Sequence, residues 1–461
     1  MMMNNQGRKH TVLMFPWLGH GHISPFLELA KKLNNTNLFN IYLCSTPANL
    51  DSVKKTLTNE CGLSLVQLIE LHLPTLPELP PHLHTTNGLP IHLMPTLKQA
   101  FDMASPGFSQ ILKTLMPDLL IYDILQPWAP QAAAALGIPA VVFITTSVAA
   151  ANNTYHVECT EDNRKDIERV LECYHNSSSI ILVKSFKEIE GKYADYFSIL
   201  SGKRIVPVGP LVVVPPVDMK QNSVIEWLDK KTARSTVFVS FGSEYFLSSA
   251  DLEEIAYGLE MSNMNFIWVL RFPKGQKEIK VWDALPLGFL ERVKNRGLLV
   301  EGWAPQTRIL GHKNIGGFVS HCGWSSVMEA MKFGVPIIAM PMQFDQPVNA
   351  RLVVEVGVGV EAVRDGNGRF MRENVAEVVQ NVMVSKFGEA VREKTKKMSV
   401  ALRVKGEEEI DAAVEELRQL CKTGSGGDLH EEEEQEGEED SIDERAERFI
   451  KRTYEEMRMQ G

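Results

Sequence analysis

Apolar positions along this chain come in short blocks whose period changes from block to block. Residues 10–17 are a short apolar run, 19–21 are turn-forming, and 23–33 place apolar residues at helical spacing. That pattern predicts a strand, a loop and a helix. Comparable runs recur at 41–44, 65–71, 118–123 (before a helix predicted over 127–136) and 139–144. Strands alternating with helices predict a parallel sheet covered on both faces. Pro207-Val208-Gly209-Pro210, followed by Pro215 and Pro216, reads as a linker. A second series follows at 236–241, 266–270, 298–301, 316–320 and 335–340. The expected architecture is α/β, with two doubly wound domains facing a cleft: 1–208, a linker 209–220, and 221–423. Residues 424–461 are expected to be a flexible acidic tail.

The tail changes the reading of charge. The chain of 461 residues carries a formal charge of −10, but residues 428–461 hold 14 acidic and 5 basic residues. The rest is nearly neutral and has no basic stripe, which argues against a nucleic-acid partner. Six cysteines are scattered without a close pair, which fits a reducing compartment and neither a disulfide framework nor a zinc cluster. The first residues lack an apolar signal core, and no basic amphipathic anchor is apparent. The expectation is a cytoplasmic monomer with no stable membrane anchor. Past the Gly424-Ser425-Gly426-Gly427 joint and an acidic run at 431–440, residues Ile442, Ala446, Phe449, Ile450, Thr453 and Met457 form an apolar stripe at helical spacing.

Residues 303–346 carry the most specific signal. The strand predicted at 316–320 ends in a tight turn, and a helix is expected to start near Trp324 with Ser325 or Ser326 as its cap. A helix start binds anions, so it is a natural diphosphate seat. His321 falls at the strand's carboxyl end, where doubly wound sheets bind ligands. Trp303 follows a short β run and offers a flat face to a base, and Glu329 lies about one turn beyond Ser326. Trp303, Pro305, Gln306, His321, Cys322, Gly323, Trp324, Ser326, Glu329, Pro341, Asp345 and Gln346 together closely resemble the sugar-nucleotide box of plant family-one UDP-glycosyltransferases. The resemblance covers nearly the whole chain outside 147–179 and the tail, and it implies the GT-B fold of two Rossmann-like domains. It places Trp303 and Gln306 toward the uracil side and Glu329 on the ribose. It places His321 and Ser326 at the phosphates, Ser325 between phosphate and sugar, and Asp345 and Gln346 at the sugar, with Ala304, Gly323 and Trp324 also in the donor site. Ser325 stands where the family usually has Asn, and its side chain is shorter. Gly242 and Ser243, at the end of another strand, are expected at the outer phosphate.

Glycosyl transfer also needs a base for the acceptor hydroxyl. His22 follows the first strand and Asp123 ends the strand at 118–123, so both fall on one edge of a parallel sheet. Both match the family's catalytic His–Asp pair. His22 is expected in a rigid loop, with Pro25 in the first turn of the helix that follows. His20 is the competing histidine, and with His84 and Thr145 it is assigned to the acceptor side. The resemblance implies no metal, no cofactor, and UDP-glucose as donor substrate, the last because glucose users commonly carry Gln at the position of Gln346. The stretch 72–90 resembles a subgroup that extends sugars already present on terpenoid, lignan or flavonoid glycosides. The partners expected are therefore a UDP-sugar and a small glycoside, with an aglycone hydroxyl or a non-catalytic UDP-sugar scaffold as alternatives. Residues 147–179 are shorter and more polar than the family's acceptor-lining segment. With the Gly-rich joint, this reads either as a rearranged, loop-shortened chain or as natural loop variation. The final stripe resembles a short motif at the ends of some plant proteins of unknown function.

Overall fold

The computed structural model describes residues 8–59, 66–157, 160–161, 163–212, 222–243, 245–271 and 284–423. The chain divides into two compact units: among the described residues, those within 8–85, 92–211 and 407–423 form the first, and those within 86–91 and 212–406 form the second. In the first, strands β1 (His10–Phe15), β2 (Phe39–Ser45), β3 (Val66–Glu70), β4 (Leu119–Tyr122), β5 (Ala140–Ile144), β6 (Ile180–Val183) and β7 (Arg204–Pro207) form one parallel sheet in the order β3-β2-β1-β4-β5-β6-β7. Strands β4, β5 and β6 are buried along their whole length. That is why they read as unbroken apolar runs without alternation.

In the second unit, β8 (Thr236–Ser240), β9 (Asn265–Leu270), β10 (Gly297–Glu301), β11 (Ile315–Ser320), β12 (Ile337–Ala339) and β13 (Gly359–Glu361) form a parallel sheet in the order β10-β9-β8-β11-β12-β13. Each sheet grows outward from its first strand and then restarts on that strand's other side. The reversal falls between β1 and β4 in the first unit, and between β8 and β11 in the second. Crevices at such switch points lie beyond the carboxyl ends of the strands and are where doubly wound sheets bind ligands.

Three sequence expectations are corrected. Strands β6, β7 and β13 were not anticipated; β7 and β13 are four and three residues long. The polar segment 147–179 is not a plain loop, because it contains the helices Val148–Asn153 and Arg164–His175. The stretch 221–423, expected as one domain, ends in the helix Lys386–Thr423, whose residues 407–423 belong to the first unit. The cause is an apolar stripe. Ile410, Ala413, Val414, Leu417 and Cys421 are spaced for one helix face and bury in the same core as Val12, Phe26 and Phe39. Lys187 N–H to Glu409 (2.7 Å) and the ion pairs Lys32–Glu407 and Arg204–Glu416 fasten the helix along its polar side. Most of the expected linker, the acidic tail with its stripe, Cys61 and Cys159 lie outside the described residues.

Candidate active site

Asp123 lies one residue past β4, at the switch point of the first sheet. Tyr122 pairs with Phe15 in register, so Asp123 arrives opposite the chain leaving β1. It is fully buried, and its two oxygens are held from three sides. Oδ2 accepts the Trp17 N–H at 3.0 Å and faces His22 Nδ1 at 2.9 Å, while Oδ1 accepts the Ile124 N–H at 2.8 Å. With the carboxylate as acceptor, the contact matches the tautomer that donates from Nδ1, which makes Nε2 the accepting nitrogen of the ring. Thr145, just past β5, places Oγ1 3.3 Å from the same Nδ1. The His22 side chain keeps 27% of its surface exposed. The arrangement is a histidine oriented by a buried carboxylate.

His22 does not sit in the expected loop. The helix starts at His20 and runs to Asn35, so His22 occupies its first turn and Pro25 lies further in. His20 is exposed at the helix start, two residues from the pair. His84 is placed away from any acceptor role for its ring. It is 3% exposed, its Nε2 lies 3.3 Å from the Leu79 carbonyl, and its own carbonyl accepts the Thr46 hydroxyl at 2.6 Å. Burial lowers its pKa below the ordinary histidine value. His84 therefore supports its own turn.

The loop carrying Asp123 is braced by a segment that the sequence reading left without a role. Tyr122 donates its hydroxyl to the Cys173 carbonyl at 2.6 Å. Arg169 donates to the Leu125 carbonyl at 2.7 Å and pairs with Asp102, which also accepts the Trp128 indole N–H at 2.9 Å. Arg169 and Cys173 both lie on the helix Arg164–His175. The preceding helix, Val148–Asn153, is capped by Ser147 and by a buried glutamate from another helix. Glu190 accepts the Val148 and Ala149 N–H groups at 3.1 and 2.9 Å and the Ser185 hydroxyl at 2.6 Å.

Burial pushes the Glu190 pKa from 4.5 up to about 7, against the pull of those three hydrogen bonds. The folded state therefore binds this proton more tightly than the unfolded state. The contribution of Glu190 to stability is most favourable below about pH 4.5 and is lost as pH rises toward 7. Thermal unfolding compared between the wild type and Glu190→Gln should show the wild type losing ground across this window, by up to about 3 kcal/mol. Parallel pH curves for the two proteins would contradict the assignment.

The second sheet repeats the logic of the first. Ser240 of β8 pairs with Ser320 of β11, so the residues just beyond them share one edge. Gly242 has φ +78°, and a Cβ there would lie 2.5 Å from His321 Nε2; a Cβ on Gly323 would lie 2.6 Å from the same atom. The imidazole is thus wedged between two backbones. His321 is 9% exposed, and burial, helped by the charge of Arg271, pushes its pKa down to about 4, so the ring is neutral near pH 7. The Ser240 backbone opposes that shift without reversing it.

Gly323 is also the cap of the helix Trp324–Phe333. The expected Ser325 or Ser326 cap is corrected: both lie inside the first turn, and the cap position is Gly323, which has no side chain to bond the first amides. Trp324 is buried at its start. Gln306, at the head of the helix Gln306–Leu310, donates from Nε2 to Ser326 Oγ at 3.0 Å and to Glu329 Oε2 at 2.8 Å. Beside it Ala304 is buried, while Trp303 is 58% exposed. Gln346 uses its side-chain oxygen to accept the Met342 and Gln343 N–H groups at 2.9 and 3.1 Å, so only its NH₂ group is left to meet a ligand.

Asn349 is a residue that the sequence reading missed. It is fully buried and donates to both the Cys322 carbonyl (2.9 Å) and Asp345 Oδ2 (2.8 Å), tying the phosphate-side turn to Asp345. Its spacing of four from Asp345 on one helix was the available signal. Ser243 follows Gly242 at the same edge, partly buried.

Comparisons with known proteins agree with this geometry. Residues 9–176 match the family described as "Glycosyltransferase, N-terminal domain", and 211–413 match "UDP-glucoronosyl and UDP-glucosyl transferase". Residues 439–460 match a third, "Cotton fibre expressed protein", which covers the final stripe. The chain is 53% identical to the Mogroside IIIx synthase of Siraitia grosvenorii, over 90% of this chain and 94% of that one. It is 49% identical to the Beta-D-glucosyl crocetin beta-1,6-glucosyltransferase of Gardenia jasminoides, over 88% and 98%. A Glycyrrhiza uralensis protein solved with glycyrrhetinic acid 3-O-monoglucuronide superposes with a TM-score of 0.80 at 24% identity, covering 91% of this chain and 97% of that one; at that identity it speaks for the GT-B fold alone. With half its residues shared across nearly the full length of such relatives, the chain belongs to the plant family-one UDP-glycosyltransferases and is an enzyme of that class.

Proposed function

We propose that this enzyme transfers glucose from UDP-glucose, with inversion, to a sugar hydroxyl of a terpenoid, lignan or flavonoid glycoside. The observation that carries the chemistry is the His22 Nδ1–Asp123 Oδ2 contact at 2.9 Å. His22 Nε2 takes the proton of the acceptor hydroxyl as that oxygen bonds to the anomeric carbon. The bond from that carbon to the diphosphate oxygen breaks, and its electron pair leaves with UDP. A single displacement converts the α-linked donor into a β-glucoside. The imidazolium that forms is stabilised by Asp123.

The donor is read on the second unit: uracil at Trp303, Ala304 and Gln306, ribose at Glu329, and phosphates at Gly242, Ser243, His321, Gly323, Trp324, Ser325 and Ser326. The sugar is assigned to Asp345 and to the amide of Gln346. The helix Trp324–Phe333, capped by Gly323, points its positive amide end at this edge, which supports anion binding there. Transfer without a metal or other cofactor is part of this reading. Every group it uses comes from this chain, which suits a monomer. Scattered cysteines support a cytoplasmic setting, and no helix among the described residues is long and apolar enough to cross a membrane.

The sugar-hydroxyl acceptor rests on stretch 72–90 and on relatives whose names specify a glucosylated substrate or a mogroside. The test is a panel of terpenoid, lignan and flavonoid monoglucosides beside their aglycones, incubated with UDP-glucose in excess chelator and read by mass. A gain of one hexose on the monoglucosides is expected. Transfer to aglycones alone would move the acceptor assignment, UDP release without any transfer would favour the scaffold reading, and loss of activity with chelator would contradict the metal-free mechanism.

A further inference from the structure

The exposed indole of Trp303 poses a physical problem. A side chain with more than half its surface in solvent samples rotamers rapidly, whereas stacking a base needs one fixed plane. The strand ends show what fixes it. Along the carboxyl edge of the second sheet, Glu301 pairs with Leu270, and Val239 pairs with Trp268. Continuing both registers brings Gly302, Arg271 and Gly242 level with one another. Arg271 thus lies between the Trp303 turn and the Gly242–His321 wedge. Its Nε donates to the Gly302 carbonyl at 2.9 Å, and its guanidinium lies over the Trp303 ring, 5.1 Å from the centroid.

We infer that Arg271 is a positioning residue for the nucleotide: clamped to the Gly302 carbonyl, its planar guanidinium packs against the Trp303 indole and holds the ring in the plane that a uracil base stacks on. This rests on the proposed role of Trp303. A planar guanidinium suits the task because it stacks and bonds sideways at once, which an ammonium does not. The clamp removes rotamer freedom from the indole before the ligand arrives, so binding no longer carries that ordering cost.

The experiment measures affinities of UDP and of uridine for the wild type, Arg271→Leu, Arg271→Lys, Trp303→Ala and the Arg271→Leu/Trp303→Ala double variant. Arg271→Leu is expected to weaken UDP and uridine by the same factor, about fivefold to tenfold. It should raise KM for UDP-glucose and leave kcat at saturation nearly unchanged. Lysine should not restore the loss, and the loss should vanish in the Trp303→Ala background. A loss confined to UDP, or rescued by lysine, would place the guanidinium on the diphosphate and overturn the inference. So would a loss that persists without Trp303. If Trp303→Ala alone leaves both affinities intact, the base-stacking role of Trp303 itself fails, an outcome distinct from failure of the clamp.

Discussion

His22→Ala is expected to lower turnover about a thousandfold while leaving the affinity for UDP unchanged, because a positioned base supplies about 10²–10⁴ of rate. The residue lies in the first unit, and every group assigned to UDP lies in the second. Turnover with the best acceptor of the monoglucoside panel, beside calorimetric titration with UDP, separates the two properties. Asp123→Asn should lose about a hundredfold or more, for a reason visible in its contacts. One carboxylate oxygen serves the Trp17 N–H and the His22 proton, and the other serves the Ile124 N–H. An asparagine must turn its NH₂ toward one of these donor sets, so it either loses His22 or sets two donors against each other. Turnover near the wild-type value in either variant would sink the pair. A heavier loss for His20→Ala would pass the role to that histidine.

Gly323→Ala should have the opposite signature, with UDP affinity falling at least about tenfold. The added methyl would sit 2.6 Å from His321 Nε2, and the buried imidazole has little room to move, since a Cβ built on Gly242 would also clash with it, at 2.5 Å from the same atom. A buried, closely packed ring displaced by such a clash carries neighbouring backbone with it, at about 1–3 kcal/mol. The backbone that moves is the cap of the helix Trp324–Phe333, the amide end assigned to the diphosphate. Gly366→Ala is the matched control, since a Cβ there meets nothing within 4 Å. If Gly323→Ala binds UDP as tightly as that control, the wedge has no part in holding the donor. Circular dichroism distinguishes a local effect from a failure to fold.

Much of this was legible in residue order. Short apolar runs separated by helical spacing specify parallel strands buried on both faces, and the groups at strand ends then fall together on one edge. His22 with Asp123, and Gly242 with His321, follow from that rule plus the position of the switch points. What stayed hidden depends on tertiary context. Strands as short as β7 and β13 have too few residues to show a period. The ring of His84 looked available until burial and the Leu79 carbonyl claimed it. The roles of Arg169, Glu190 and Arg271 come from partners distant in sequence, and no local spacing signals them. The helix cap went to Gly323 and not to a serine because the turn around Cys322 (φ +64°) brings the chain into the helix one residue earlier than the serines suggest.

The helix end at 407–423 has a consequence for how the protein is made. Its apolar face completes the core that β1 and β2 begin, yet it leaves the ribosome after the entire second unit. Until then Val12, Phe26 and Phe39 lack part of the covering they have in the native state. The first unit thus emerges first and closes last, with an apolar surface open throughout translation of residues 212–406. Domains whose contacts join distant parts of a chain fold slowly and are aggregation-prone while they wait. The yield of active protein is therefore expected to depend on how well that surface is shielded until residues 407–423 arrive.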